Sequence, residues 1–305
     1  MTSFTASLRD IRICTPELPE AQAFRVYDAI EARERQLINP DRAAGELLLT
    51  DYAEGTAAYD DETLIIGEDN MTIVASADHA TDPVRKATGR REGADHGTAG
   101  LVHFLAEAAV LTGIIPLGRQ TGNANTSGPE YPVKQYIKSL LPGRVGFLSV
   151  HGMMPGKVIN YDETEELHAI IGLGRAPGEA NRNQAKSIVE TIHNIGFRAC
   201  IGNDAEYMTR DSQTGMVQLA ADGSVRKSRL AALGPNTTTN WARTVSIEQG
   251  SEKPAMQIEL TRALRLLPRD FENGWHVDKT ARVMGVYAGY LIARSAAHML
   301  MREVC

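Results

Sequence analysis

Short apolar runs alternate with helical stretches through the middle of the chain, and this alternation constrains the fold more than any other feature. Residues 145–150 (VGFLSV), 168–173 (HAIIGL), 197–202 (FRACIG), 245–248 and 256–260 (MQIEL) read as strands, as do 64–66 and 71–77 (MTIVASA) around a polar turn. Residues 20–36, 98–111 and 179–194 carry helical spacing, the last ending near Gly196, a good residue to stop a helix. Residues 277–304 form a long Ala-, Leu- and Met-rich helical stretch. Strands interleaved with helices predict an α/β fold with a mostly parallel or mixed β-sheet flanked by helices. The 305 residues contain no internal repeat and no low-complexity linker, so we expect one domain over 1–305, with 1–60 as an N-terminal extension packed on it.

Composition narrows the classes of function. A hydrophobic fraction of 43% suffices for a sizeable core, and a net charge of −6 argues against a nucleic-acid binder. The three cysteines, Cys14, Cys200 and Cys305, are scattered and form no CxxC, which points to a reducing, cytoplasmic setting rather than a disulfide framework. The first residues do not read as a signal peptide, and no apolar run is long enough to span a membrane. The apolar C-terminal helix offers a face for a homo-oligomer.

Chemistry gathers at the ends of the apolar runs. In SADHATDP, His79 follows MTIVASA; in VGFLSVHGMMP, His151 follows VGFLSV, and Gly152 lets the backbone turn. Open α/β sheets bind ligands beyond the carboxyl ends of their strands. Two such histidines plus an acid make the His₂–carboxylate set of catalytic zinc sites. Asp95, just ahead of the predicted helix at 98, is one candidate acid and equally a candidate N-cap. Asp78 and Glu92 lie near, and His96 is an adjacent nitrogen donor. Glu259 sits in an apolar strand context, with Gln257 on the same face, where an unpaired carboxylate would be costly. Arg85, Arg90, Arg91, Arg119, Arg175 and Arg262 surround these motifs, and guanidinium groups hold carboxylates in a bidentate fork. A small anionic substrate follows from that supply. The remaining histidines, His103, His168, His193, His276 and His298, sit in helix or strand patterns as ordinary partly buried residues. GLGRAPGE holds only a lone GxG, a weak phosphate signal, the run at 236–240 reads as a polar loop, and residues 208–240 as a long loop or hairpin insertion near the site.

The segments HATDPVRKATGRREGADHGTAGL, SVHGMMP, AIIGLGRAPG and QIELTRALR resemble the N-formylglutamate amidohydrolase family, over roughly residues 70–270. That resemblance implies a zinc carboxypeptidase-like (phosphorylase/hydrolase-like) fold, with a mixed sheet between helices. It implies Zn²⁺ held by His79, Asp95 and His151, and Glu259 as general base and acid. It implies hydrolysis of an amide whose acid side is formyl or another small acyl group. Arg119 would then stabilise the oxyanion, and Arg85, Arg175 or Arg262 would hold the substrate carboxylate. The first motif departs from the family, reading His-Ala-Thr-Asp-Pro where Ser-Gly and a later Pro are usual, which bears on the substrate more than on the metal chemistry. Two other functions fit the same residues: a carboxypeptidase-like zinc peptidase acting on a short or γ-glutamyl peptide, and a non-catalytic carboxylate-binding protein.

Overall fold

The computed structural model describes residues 19–39, 48–54, 62–67, 72–85, 90–91, 93–108, 110–118, 120–153, 167–209, 216–228, 230–266 and 279–302. Helices α1 (Glu20–Ile38) and α2 (Leu49–Glu54) lead into strands β1 (Thr63–Ile66) and β2 (Ile73–Ser76). A two-residue ribbon, β3 (Val84–Arg85) and β4 (Arg90–Arg91), precedes α3 (Thr98–Glu107), β5 (Thr112–Pro116), α4 (Pro132–Leu140) and β6 (Gly146–Met153). Then come β7 (Ala169–Gly172), α5 (Glu179–Asn194), β8 (Ala199–Ile201), β9 (Tyr207–Met208), β10 (Lys227–Ser228), α6 (Thr238–Glu248), β11 (Ala255–Thr261), a 3₁₀ turn (Arg262–Leu264) and α7 (Lys279–Arg302).

Among the described residues, seven strands form one mixed sheet in the order β1-β5-β2-β6-β11-β7-β8. The centre, β5-β2-β6-β11, is parallel, while β1 and β7 run antiparallel to their inner neighbours. The expected α/β class with a mixed sheet between helices is what the chain adopts. No helix among the described residues is long and apolar enough to cross a membrane.

The two faces of the sheet are unlike, and the period of two sets the difference. On one face Leu148, Val150, Met256, Ile258 and Leu260 pack into the larger core with α1, α3, α5 and α7. On the other, Phe147 and Ala255 join Val133 and Ile137 of α4 and Ala242 and Val245 of α6. Further along that second face the alternation brings up Ser149, His151, Gln257 and Glu259, all buried. A buried polar stripe is costly unless it is hydrogen-bonded, so these four residues mark where the fold invests in something other than stability.

Several sequence expectations change. Residues 245–248 are not a strand but the last turn of α6; VSIE is too short for its apolar spacing to separate strand from helix. The stretch 98–111 ends as a helix at Glu107, and an unforeseen strand, β5, follows at once, its TGIIP merging with the apolar helix before it. Helix α4, opened by Pro132, was also not foreseen. The run 236–240 is not a loop: Thr237 caps α6, its hydroxyl accepting from Asn240 N at 3.3 Å. The segment 208–240 does contain a hairpin, β9 pairing with β10.

Helix α3 starts without a side-chain cap of its own, at Gly97 with φ 81°. Buried Glu34 of α1 supplies that role from 63 and 66 positions away, accepting from Gly97 N at 2.7 Å and Gly100 N at 2.6 Å. Asp95 is therefore not the cap of this helix, and its carboxylate points elsewhere. Gly100 lets the two helices cross closely: a Cβ there would lie 2.5 Å from Ile30 O. Gly100→Ala is expected to push α1 off α3 and to lower stability by about 1–3 kcal/mol, measured by urea unfolding; a variant as stable as the parent would contradict this packing.

Candidate metal centre

β2 ends at Ser76, and the chain turns through Asp78 and His79 beyond its carboxyl end. The loop carrying Asp95 is tied to that turn by Asp95 N, which donates to His79 O at 2.7 Å. His151 is within β6 rather than beyond it, since the strand runs on to Met153. These three segments bring His79, Asp95 and His151 together, with ligating atoms within 4.8 Å of one another. Asp95 Oδ2 lies 3.5 Å from His79 Nδ1 and 3.1 Å from His151 Nδ1, and the two rings meet edge to face with centroids 5.0 Å apart.

That spacing can be tested against an ion. A tetrahedral zinc with bonds of about 2.0–2.1 Å keeps its ligands about 3.3–3.4 Å apart, and the two observed separations straddle this value. The outer nitrogens also behave as those of ligating histidines do, each facing an acceptor. His79 Nε2 lies 3.3 Å from Asn123 Oδ1, and His151 Nε2 lies 3.2 Å from Asp78 Oδ2 and 2.8 Å from Ser149 Oγ. Two imidazoles and a carboxylate are a donor set suited to zinc. The residues fit the ion that the resemblance implies.

The electrostatics follow from this packing. Burial alone would lower His151, but hydrogen bonds to Asp78 and Asp95 hold its ring well above the ordinary 6.5. Burial also works against His79, whose hydrogen bond to Asp95 nevertheless raises it. Burial pushes Asp95 up, yet the two imidazoles draw its carboxyl far below the usual range. The packing thus favours the charged forms, a carboxylate beside two protonated rings. Folded-state values above the unfolded one mean that stability from these rings is full below about pH 6.5 and is lost as pH rises through the raised values. A divalent ion must displace those protons. Zinc affinity is expected to fall as pH drops, steepening toward about a hundredfold per unit where both rings are protonated. Competition titration between pH 8 and pH 5 checks this; an affinity flat with pH would contradict it.

Glu259 stands in β11 opposite His151 in the parallel register, on the same face, and its charge acts on that imidazole. Gln257 Nε2 donates to Glu259 Oε1 at 2.8 Å, as the shared face predicts. A loop unforeseen in this role, residues 120–128, closes the other side. Its Asn125 Nδ2 lies 3.5 Å from Nε2 of both histidines, and Lys134 Nζ braces the loop by donating to Ser127 O. The signal was the cluster TGNANTS, whose short polar side chains bond to nearby backbone: Asn123 Oδ1 accepts from Asn125 N at 2.8 Å.

The arginines divide. Arg119 and Glu92 lie outside the described residues, and of Arg85 only the backbone, in β3, is described. Arg175 donates from Nε to Leu233 O at 2.6 Å and is exposed. Arg262 is in the 3₁₀ turn after β11, half-buried. The cation set under the site is one the sequence did not single out, Arg265, which is 5% exposed. It donates to His96 O at 2.8 Å, Leu260 O at 3.2 Å and Met153 O at 3.5 Å, and its charge acts on Asp95, Glu259 and Glu34. Gly152 is required by this arrangement, because a Cβ there would lie 2.1 Å from Arg265 Cζ. His96 is outside the cluster, its ring set against Tyr52 at 4.3 Å. In GLGRAPGE, Gly174 adopts φ 74° to pass Asn240, whose Oδ1 accepts from Arg175 N at 2.9 Å, so the glycine is used for packing.

No protein-family model and no curated protein matches the chain. Among solved structures it is similar to a bacteriophage poly-gamma-glutamate hydrolase, at 13% identity over 75% of this chain and 86% of that chain, with a TM-score of 0.37. It is similar to zinc-free apo YNDL at 12% identity over 75% and 88% of the two chains, with a TM-score of 0.35. It is also similar to a metallo-carboxypeptidase from Burkholderia cenocepacia at 10% identity over 76% and 60%, with a TM-score of 0.33. Likeness at this level carries no argument about chemistry, which rests on the side chains of the site.

Proposed function

We propose that the protein is a zinc-dependent hydrolase that cleaves the amide bond of a small acidic N-acyl compound, an N-formyl amino acid being the simplest case. One observation carries the reading: His79, Asp95 and His151 bring their ligating atoms within 4.8 Å of one another, with the buried carboxylate of Glu259 on the neighbouring strand beside His151. His79 and His151 would bind through Nδ1 and Asp95 through Oδ2. When bound, zinc supplies a Lewis acid that lowers the pKa of a water and polarises a carbonyl oxygen.

The chain's own residues supply the remaining parts. Glu259 takes a proton from the attacking water and returns it to the leaving nitrogen. Gln257 holds one carboxylate oxygen of Glu259 and so fixes the orientation of the group. Burial of the stripe Ser149, His151, Gln257 and Glu259 keeps bulk water from dissipating the field of these groups. Arg119 is proposed for the oxyanion, and Arg85, Arg175 and Arg262 for the substrate carboxylate, on the strength of the guanidinium fork alone.

The test is a substrate screen on the zinc-loaded full chain, with N-formyl and N-acetyl amino acids and short γ-glutamyl peptides. Release of formate or acetate is expected. Release of an amino acid from the peptides alone would transfer the site to a peptidase. Binding of these carboxylates without turnover would make the protein a sensor and overturn the hydrolase.

A further inference from the structure

Asp78 lies beside His79 in sequence, but its carboxylate meets the outer nitrogen of His151 rather than the side where the three ligating atoms converge. Its side chain is fully buried, and it is met by the hydroxyls of Ser76, Ser149 and Thr238 and by His151. Oδ1 accepts from Ser76 Oγ at 2.6 Å, and Oδ2 accepts from Ser149 Oγ at 2.7 Å and from the hydroxyl of Thr238. The same Oδ2 faces His151 Nε2 at 3.2 Å. Three elements meet on this one carboxylate: the end of β2, strand β6 and the first turn of α6. Asp78 is absent from the group of residues placed to share an ion.

We infer that Asp78 is a positioning residue for His151, an inference that rests on the metal-centre reading above. An imidazole that ligates through Nδ1 must carry its proton on Nε2, and a carboxylate acceptor at Nε2 fixes both that tautomer and the rotation of the ring. The hydroxyls of Ser76, Ser149 and Thr238 hold the carboxylate in place, so its geometry does not depend on the ion. The two histidines are thereby unlike. His151 is backed by a buried carboxylate, whereas His79 is backed by the neutral amide oxygen of Asn123, at 3.3 Å. His151 is the more basic donor of the pair and the more rigidly aimed.

The experiment measures zinc affinity by chelator competition, and the visible spectrum of the cobalt-loaded protein, for the full chain and for Asp78→Asn, Asn123→Ala and Thr238→Val. Asp78→Asn keeps the shape and removes the charge; it is expected to weaken zinc by about ten- to a hundredfold and to shift the cobalt bands. Asn123→Ala is expected to cost less than Asp78→Asn. Where Asp78→Asn does not fold, Thr238→Val decides: it removes one donor from the carboxylate, and a severalfold weaker affinity with a shifted spectrum supports the assignment. Unchanged affinity and bands in a folded Asp78→Asn, or failing that in Thr238→Val, overturn it while leaving the metal centre standing. A parent protein that takes up no zinc overturns the metal centre itself, and the positioning role with it.

Discussion

Glu259→Gln is expected to lower turnover by about a hundred- to ten-thousandfold while leaving the zinc content unchanged. The amide keeps the size of the carboxylate and its contact with Gln257 but cannot take a proton from water. Glu259 is outside the group that can share an ion, so its loss does not empty the site. The measurement is kcat on the substrate found by the screen, with zinc determined on the same sample. A variant that retains turnover would remove Glu259 from the mechanism. A variant that loses zinc would make it a ligand instead.

Arg265→Met is expected to destabilise the fold by about 3–5 kcal/mol, the largest stability effect foreseen for a single residue here. The guanidinium joins the carbonyls of His96, Leu260 and Met153, which belong to the loop carrying Asp95, the end of β11 and the end of β6. Methionine fills much of the volume but leaves those carbonyls without this donor, and leaves Asp95, Glu259 and Glu34 without the positive charge that acts on them. Breaking a buried charge network costs more than replacing it whole, because the remaining charges stay desolvated. Chemical unfolding of the metal-free protein measures the loss, which separates it from any change in zinc binding. A loss under about 1 kcal/mol, the range of an ordinary surface change, would mean that the guanidinium does not tie these segments together.

Much of the sheet was legible because its central strands are buried on both faces and read as apolar runs. Residues 256–260 announced β11, and the polar letters inside it, Gln257 and Glu259, announced a face with another purpose. His79 and His151 stood out because each follows such a run. What was not legible depends on pairing across the chain. Thr238 reaches Asp78 over 160 positions and Glu34 reaches Gly100 over 66, and no local pattern encodes either contact. Asp78 looked like a rival ligand because sequence gives proximity to His79 but not the direction of the side chain. Asp95 looked like a cap for the same reason, until Glu34 took that place. Arg265 was passed over for Arg262 because both follow QIEL, and only the turn between them decides which side chain goes under the sheet.

The proposed chemistry requires that one ion be shared by side chains far apart in sequence. Its most direct test is the zinc content of the purified full chain beside His79→Ala and His151→Ala, after dialysis against metal-free buffer. About one zinc per chain in the parent, lost in each variant, is the predicted result. A parent without bound zinc, or a variant that keeps it at the parent's affinity, would contradict the account.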